Sequence, residues 1–91
     1  MGATRHLIVT GTVQGVGYRQ FLYANALELN CTGWIRNRAV GTVEAVVGGA
    51  ADAVAQLLEL ARRGPRHARV QAIAITASEG CYTQFEIRPT A

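Results

Sequence analysis

Lysine is absent from this sequence; all nine basic residues are arginines. Schiff-base chemistry and the lysine of a Walker-type phosphate loop are excluded with it. The one serine, Ser78, lies outside any G-x-S-x-G context, which argues against a serine hydrolase. Two cysteines, Cys31 and Cys81, stand fifty positions apart without a C-x-x-C, and the only histidines are His6 and His67. Structural zinc and thioredoxin chemistry therefore lack their ligands. No apolar run approaches the roughly 20 residues that cross a bilayer. Near the N-terminus, Arg5 and His6 precede only Leu7-Ile8-Val9, too short for a signal-peptide core, and His6 breaks the myristoylation pattern. These absences point to a soluble, cytoplasmic protein.

What is present is a small apolar chain of 91 residues, 49% hydrophobic and 16% charged, with a net charge of +3. It exceeds the roughly 70–80 residues below which a fold usually needs staples, so one domain over residues 1–91 is expected. Arg5 to Gly11 reads as a strand, with Leu7 and Val9 on one face and His6, Ile8 and Thr10 on the other. After a loop of small residues, Tyr18, Leu22, Asn25/Ala26 and Leu29 recur at helical spacing and predict a helix of about twelve residues. Thr32–Asn37 and Gly41–Val47 read as a hairpin across Arg38-Ala39-Val40, ended by Gly48-Gly49. Val54, Leu57, Leu58 and Ala61 mark a second helix over about residues 51–63, stopped by Gly64-Pro65. In Arg69–Ala77, Val70, Ala72, Ala74 and Thr76 alternate with Gln71, Ile73, Ile75 and Ala77. Thr83–Arg88 reads as a last short strand before Pro89. The order predicts an α+β fold, a ferredoxin-like βαββαβ sandwich. Its sheet is antiparallel or mixed, with two helices on one face and room for a short fifth strand.

The chemically informative segment is Gly11-Thr12-Val13-Gln14-Gly15-Val16-Gly17-Tyr18-Arg19. It runs from a strand end into a helix N-terminus, where backbone N–H groups lack internal partners and the helix dipole favours an anion. Gly15 and Gly17 let the backbone close around a bound group. Arg19, in the first helical turn, opposes the dipole unless an anion sits beside it. A phosphate between amides and guanidinium satisfies both, although a glycine-rich turn with a solvated arginine fits the loop equally well. The loop is neither G-x-G-x-x-G nor a Walker motif, so dinucleotide and nucleoside-triphosphate binding are not indicated.

Gly11 to Arg19 resembles the first signature of the acylphosphatases, and Gly33-Trp34-Ile35-Arg36-Asn37, followed by Gly41-Thr42-Val43 and Gly49, resembles the second. Gly64-Pro65 with Ala68 and Val70 also falls where that family turns from its second helix into its fourth strand. The resemblance covers about residues 5 to 88. Val40 departs from it, standing where an acidic residue commonly precedes the hairpin glycine, and this bears on the rigidity of the hairpin. The resemblance implies hydrolysis of acyl phosphates without metal or cofactor. By it, Arg19 and Asn37 are catalytic. The amides of Gln14, Gly15, Val16, Gly17, Tyr18 and Arg19 hold the phosphoryl oxygens, Arg19 neutralises them, and Asn37 orients the attacking water. The expected partners are an acyl phosphate and inorganic phosphate, as product and inhibitor, with no nucleic acid, no membrane and no second subunit.

Each feature also has a plainer reading. Asn37 at a strand end can simply cap a turn. Trp34 reads as core or sheet-face packing, Tyr18 as an anchor for the loop, and both histidines as solvated or locally hydrogen-bonded. A fifth strand beside the second would bring Cys31 and Cys81 towards bridging distance, whereas a reducing cytoplasm keeps both as thiols. An anion-binding module without catalysis would keep the same cradle. Arg62, Arg63, Arg66, His67 and Arg69 form a basic cluster that suggests nucleic acid, yet the central strands lack the aromatics of RNA-recognition sheets. Cations at a helix C-terminus also offset its dipole.

Overall fold

The computed structural model describes residues 2–91. Alternation along the strands gives the sheet one oily face. Leu7 and Val9 of β1 (Gly2–Thr12), Ile35 of β2 (Thr32–Asn37), and Val43, Ala45 and Val47 of β3 (Val43–Ala50) are fully buried there. Against this face pack α1 (Tyr18–Glu28), through Tyr18, Leu22 and Ala26, and α2 (Ala51–Arg63), through Val54, Leu57 and Ala61. Each large apolar side chain so buried contributes about 1.5–3 kcal/mol. With β4 (Arg69–Ala77) and β5 (Phe85–Ile87), the sheet runs β4-β1-β3-β2-β5. Its pairs are antiparallel except β2 with β5. The ferredoxin-like sandwich is thus present, with its fifth strand.

Several boundaries differ from the sequence expectation. Gly48-Gly49 does not end the hairpin: β3 continues to Ala50, and Gly48 and Gly49 pair with Thr4 and Ala3, which draws the start of β1 back to Gly2. The β2–β3 link is Arg38 to Thr42 rather than three residues, closed by Arg38 N–H to Thr42 O at 2.9 Å and Gly41 N–H to Arg38 O at 2.9 Å. The alternation in β4 breaks at Gln71. Opposite it, Thr10 pairs with Ala72 and Gly11 with Val70, so Gln71 is the extra residue of a bulge. Val70 thereby joins Ile73 and Ile75 against the core, which simple alternation forbids. Gly11 permits the bulge: its φ is +135°, and a Cβ there would lie 2.0 Å from the Arg69 carbonyl oxygen. β5, Phe85–Ile87, is shorter than Thr83–Arg88, although flanking backbone bonds continue its contact with β2, from Gly33 N–H to the Gln84 carbonyl at 3.0 Å and from Arg88 N–H to the Ile35 carbonyl at 2.9 Å.

The other sheet face carries charge. Glu44 accepts hydrogen bonds from His6 at 2.7 Å and from Arg36 at 2.8 Å. Burial alone raises the Glu44 pKa, but the hydrogen bonds and charges of His6 and Arg36 outweigh it and hold the carboxyl below its ordinary value. Trp34 packs on this face between two guanidinium groups, Arg36 at 4.9 Å and Arg88 at 4.7 Å from its ring centre. Cys31 is buried and Cys81 exposed, and both are free thiols.

Candidate active site

The loop between β1 and α1 is pinned at both ends. Val13 is buried at its start, and Tyr18 is buried where α1 begins. The Tyr18 hydroxyl donates to the Ala61 carbonyl at 2.8 Å, tying the head of α1 to the tail of α2. Burial pushes the pKa of that hydroxyl well above its ordinary value. Between these anchors the chain turns through left-handed backbone at Gly15 (φ +74°) and Gly17 (φ +82°). A Cβ at either glycine would meet nothing within 4 Å, so the backbone angle, and not crowding by the protein, demands glycine.

The consequence is a row of unused donors. Among the described residues, no backbone N–H from Gln14 to Gln20 finds an acceptor; the first to do so is Phe21, which donates to the Gly17 carbonyl at 3.0 Å. Gly17, at the helix N-cap, offers no side chain to take them, and the first turn of α1 holds no acidic residue. Arg19 is half-buried in that turn and makes no hydrogen bond or ion pair among the described residues. Unpaired amides, a helix N-terminus and a guanidinium together present the kind of donor cradle that an oxyanion could fill.

Asn37 ends β2 on the helix-facing side, opposite Val43. Its Oδ1 is buried and lacks a partner among the described residues, as does Thr42 Oγ1. Its backbone carbonyl accepts the Ala91 N–H at 3.1 Å, and Ala39 N–H donates to the Ala91 carbonyl at 2.7 Å, so the C-terminal segment braces this turn. The loop and the turn meet through Gln14, whose Nε2 donates to the carbonyls of Arg38 at 2.8 Å and Thr42 at 2.9 Å. Gln14 thus has an unpaired main-chain amide within the cradle while its side chain reaches across to the residue after Asn37.

The sequence reading did not anticipate that reach, the orphaned Thr42 hydroxyl or the Ala91 brace. A polar side chain standing alone between Val13 and Gly15 was the available signal for the first. Thr42 was hidden by its place in an apparent strand alternation. His6 is engaged with Glu44, and the arginines and histidine of the 62–69 cluster are all exposed at and beyond the C-terminus of α2. Among the described residues no group of three or more His, Cys, Asp or Glu is gathered for a metal ion, and no helix is long and apolar enough to cross a membrane.

Known proteins resemble this chain over nearly its whole length. A model of the acylphosphatase family matches residues 5–87. An acylphosphatase of Azorhizobium caulinodans is 44% identical over 92 aligned positions, covering 99% of each chain. Among solved structures, an acylphosphatase from Coxiella burnetii superposes with a TM-score of 0.91 at 34% identity, covering 96% of this chain and 93% of the other. The acylphosphatase from Bacillus subtilis gives a TM-score of 0.90 at 32% identity, covering 97% and 99%.

Proposed function

The chain belongs to the acylphosphatase family and is a hydrolase of the carboxyl–phosphate bond, and from that premise we propose how its residues divide the work. The phosphoryl oxygens rest on the amides of Gln14, Gly15, Val16, Gly17, Tyr18 and Arg19. The Arg19 guanidinium spans two of these oxygens with its planar fork. Asn37 Oδ1 accepts a hydrogen bond from a water and holds it in line with the bond to be broken.

The water oxygen forms a bond to phosphorus as the phosphorus–carboxyl oxygen bond breaks. The electron pair leaves on the carboxylate, and the water proton passes to a phosphoryl oxygen, giving a carboxylate and inorganic phosphate. A carboxylate leaves without protonation, so no general acid is required, and the substrate itself takes the place of a general base. The observation that carries this reading is the run of amides from Gln14 to Arg19 that have no acceptor among the described residues, beside an Arg19 with no anionic partner among them. Removing one preorganised donor of this kind typically costs ~10²–10³ in rate.

The same reading makes the protein a cytoplasmic monomer that acts as one domain over residues 1–91, without metal or cofactor, on a small acyl phosphate and not on nucleic acid or membrane. Arg62 and Arg63 stand in the last turn of α2, where they offset its dipole. The test is hydrolysis of benzoyl phosphate and acetyl phosphate in EDTA, with inorganic phosphate competing and raising the melting temperature. Absence of hydrolysis above background on both substrates would reduce the chain to an anion-binding module.

A further inference from the structure

We propose that the Gln14 side chain is a positioning residue, setting Asn37 in place relative to the phosphate loop. The carboxamide has two hydrogens on Nε2, and both are used, on the carbonyls of Arg38 and Thr42. These carbonyls stand at the two ends of the β2–β3 link. Each already receives a backbone donor: Arg38 O from Gly41 N–H, and Thr42 O from Arg38 N–H. The turn is therefore closed without Gln14. What the side chain adds is the distance between turn and loop.

Asn37 needs that fixed distance because none of the described residues holds its side-chain oxygen. Oδ1 has no partner among the described residues, so its aim is set by the backbone on either side. Ala91 N–H holds the Asn37 carbonyl, and Gln14 holds the Arg38 carbonyl one peptide further on. A side chain of glutamine length with two donors on one atom fits both acceptors. Methionine matches its length without donors, and glutamate at neutral pH turns an acceptor towards two carbonyl oxygens.

This inference rests on the acyl-phosphate reading of the site, so its test includes a measurement that needs no substrate. In Gln14→Met, turnover of benzoyl phosphate is expected to fall by about 10- to 100-fold, the scale of an ångström-sized misplacement of a reacting group. The inhibition constant of inorganic phosphate should stay within about threefold of the parent's, since the main-chain cradle remains. In an Asn37→Ala background, Gln14→Met should cause little further loss of turnover, because both changes act through one group. Gln14→Glu should behave like Gln14→Met at neutral pH, its deficit relative to the parent shrinking as acidification gives the carboxyl a donor hydrogen. By ¹⁵N relaxation dispersion, Arg38 to Thr42 should gain microsecond-to-millisecond exchange in Gln14→Met.

Retained turnover with a lowered melting temperature would make Gln14 merely structural and overturn the proposal, as would phosphate affinity falling in step with turnover. Losses that multiply fully with Asn37→Ala, or a turn as rigid as the parent's, would overturn it too. A parent protein that hydrolyses neither substrate removes the reading of the site, and the relaxation measurement then decides the clamp alone.

Discussion

Replacing Tyr18 by phenylalanine removes one oxygen atom and leaves the packing of the ring intact. That oxygen donates to the Ala61 carbonyl at 2.8 Å, in the last turn of α2. An interior helix carbonyl would receive the N–H four residues on, but residue 65 is proline and has none. Gly64 N–H is spent on the Leu60 carbonyl. The Tyr18 hydroxyl therefore serves a buried acceptor that the helix cannot serve itself. An acceptor left unsatisfied in this way costs about 1–3 kcal/mol. In a chain of this size each kcal/mol shifts the melting temperature by about 4–8 °C, so a cost of about 2 kcal/mol predicts a fall of about 8–16 °C. Thermal and urea unfolding followed by circular dichroism read this directly, with the urea slope unchanged. The pH dependence supplies a second check. Burial raises the Tyr18 pKa in the folded state, so the folded protein retains a proton that the unfolded chain releases near pH 10. The associated stability is complete below about pH 10 and is lost as pH rises towards the higher folded value. The parent should weaken above about pH 10 more steeply than Tyr18→Phe. A melting temperature unchanged by the substitution, or identical alkaline slopes, would refute the reasoning.

Arg19→Lys should fold normally yet lose ~10²–10³ in kcat/KM, because an ammonium cannot span two phosphoryl oxygens; near-normal kinetics would make Arg19 a bystander. Asn37→Ala should lower turnover while phosphate affinity and melting temperature hold, since the buried oxygen it removes has no partner to lose among the described residues. Normal turnover with reduced melting temperature would instead mark Asn37 as a turn-former. Glu44→Gln should cost stability at neutral pH, and the gap from the parent should close in acid. The lowered Glu44 pKa contributes fully above the ordinary value of about 4.3 and is lost as pH falls through the lower folded value. Equal gaps at neutral and acid pH in thermal unfolding would dismiss that account.

Inward alternation in β1 and β3 and the apolar stripes of both helices were legible in the sequence because one buried face imposes period two on strands and 3.6 on helices. Where a residue answers to something other than that face, the pattern misled. Gly48 and Gly49 looked like a terminator but pair within the ladder, because Thr4 and Ala3 across from them extend β1. Val70 looked like a partner of Ala72 until the bulge at Gln71 shifted its phase. In the site, the free amides and the placement of Arg19 followed from a glycine-rich loop entering a helix. The reach of Gln14 to Arg38 and Thr42 did not, because it joins positions separated by 24 and 28 residues, and no local rule encodes it.

The two helices make opposite use of their dipoles. α2 carries Asp52 in its first turn and Arg62 and Arg63 in its last, the arrangement that offsets both ends by ~0.3–1 kcal/mol per charge. α1 has no acid in its first turn and no base in its last; Arg19 sits at its positive end and Glu28 at its negative end. Its stability must come from packing, through Tyr18, Leu22 and Ala26. Two of the six carboxylates are paired with arginines elsewhere: Glu44 with Arg36 and Glu86 with Arg88. A carboxylate in the first turn of α1 would stabilise the helix, but in the mechanism proposed above it would also compete for the amides and the guanidinium that take the phosphoryl group. The positive end of α1 is thus left uncompensated by the helix's own side chains, a local cost to stability that, in the mechanism proposed above, a bound anion would offset.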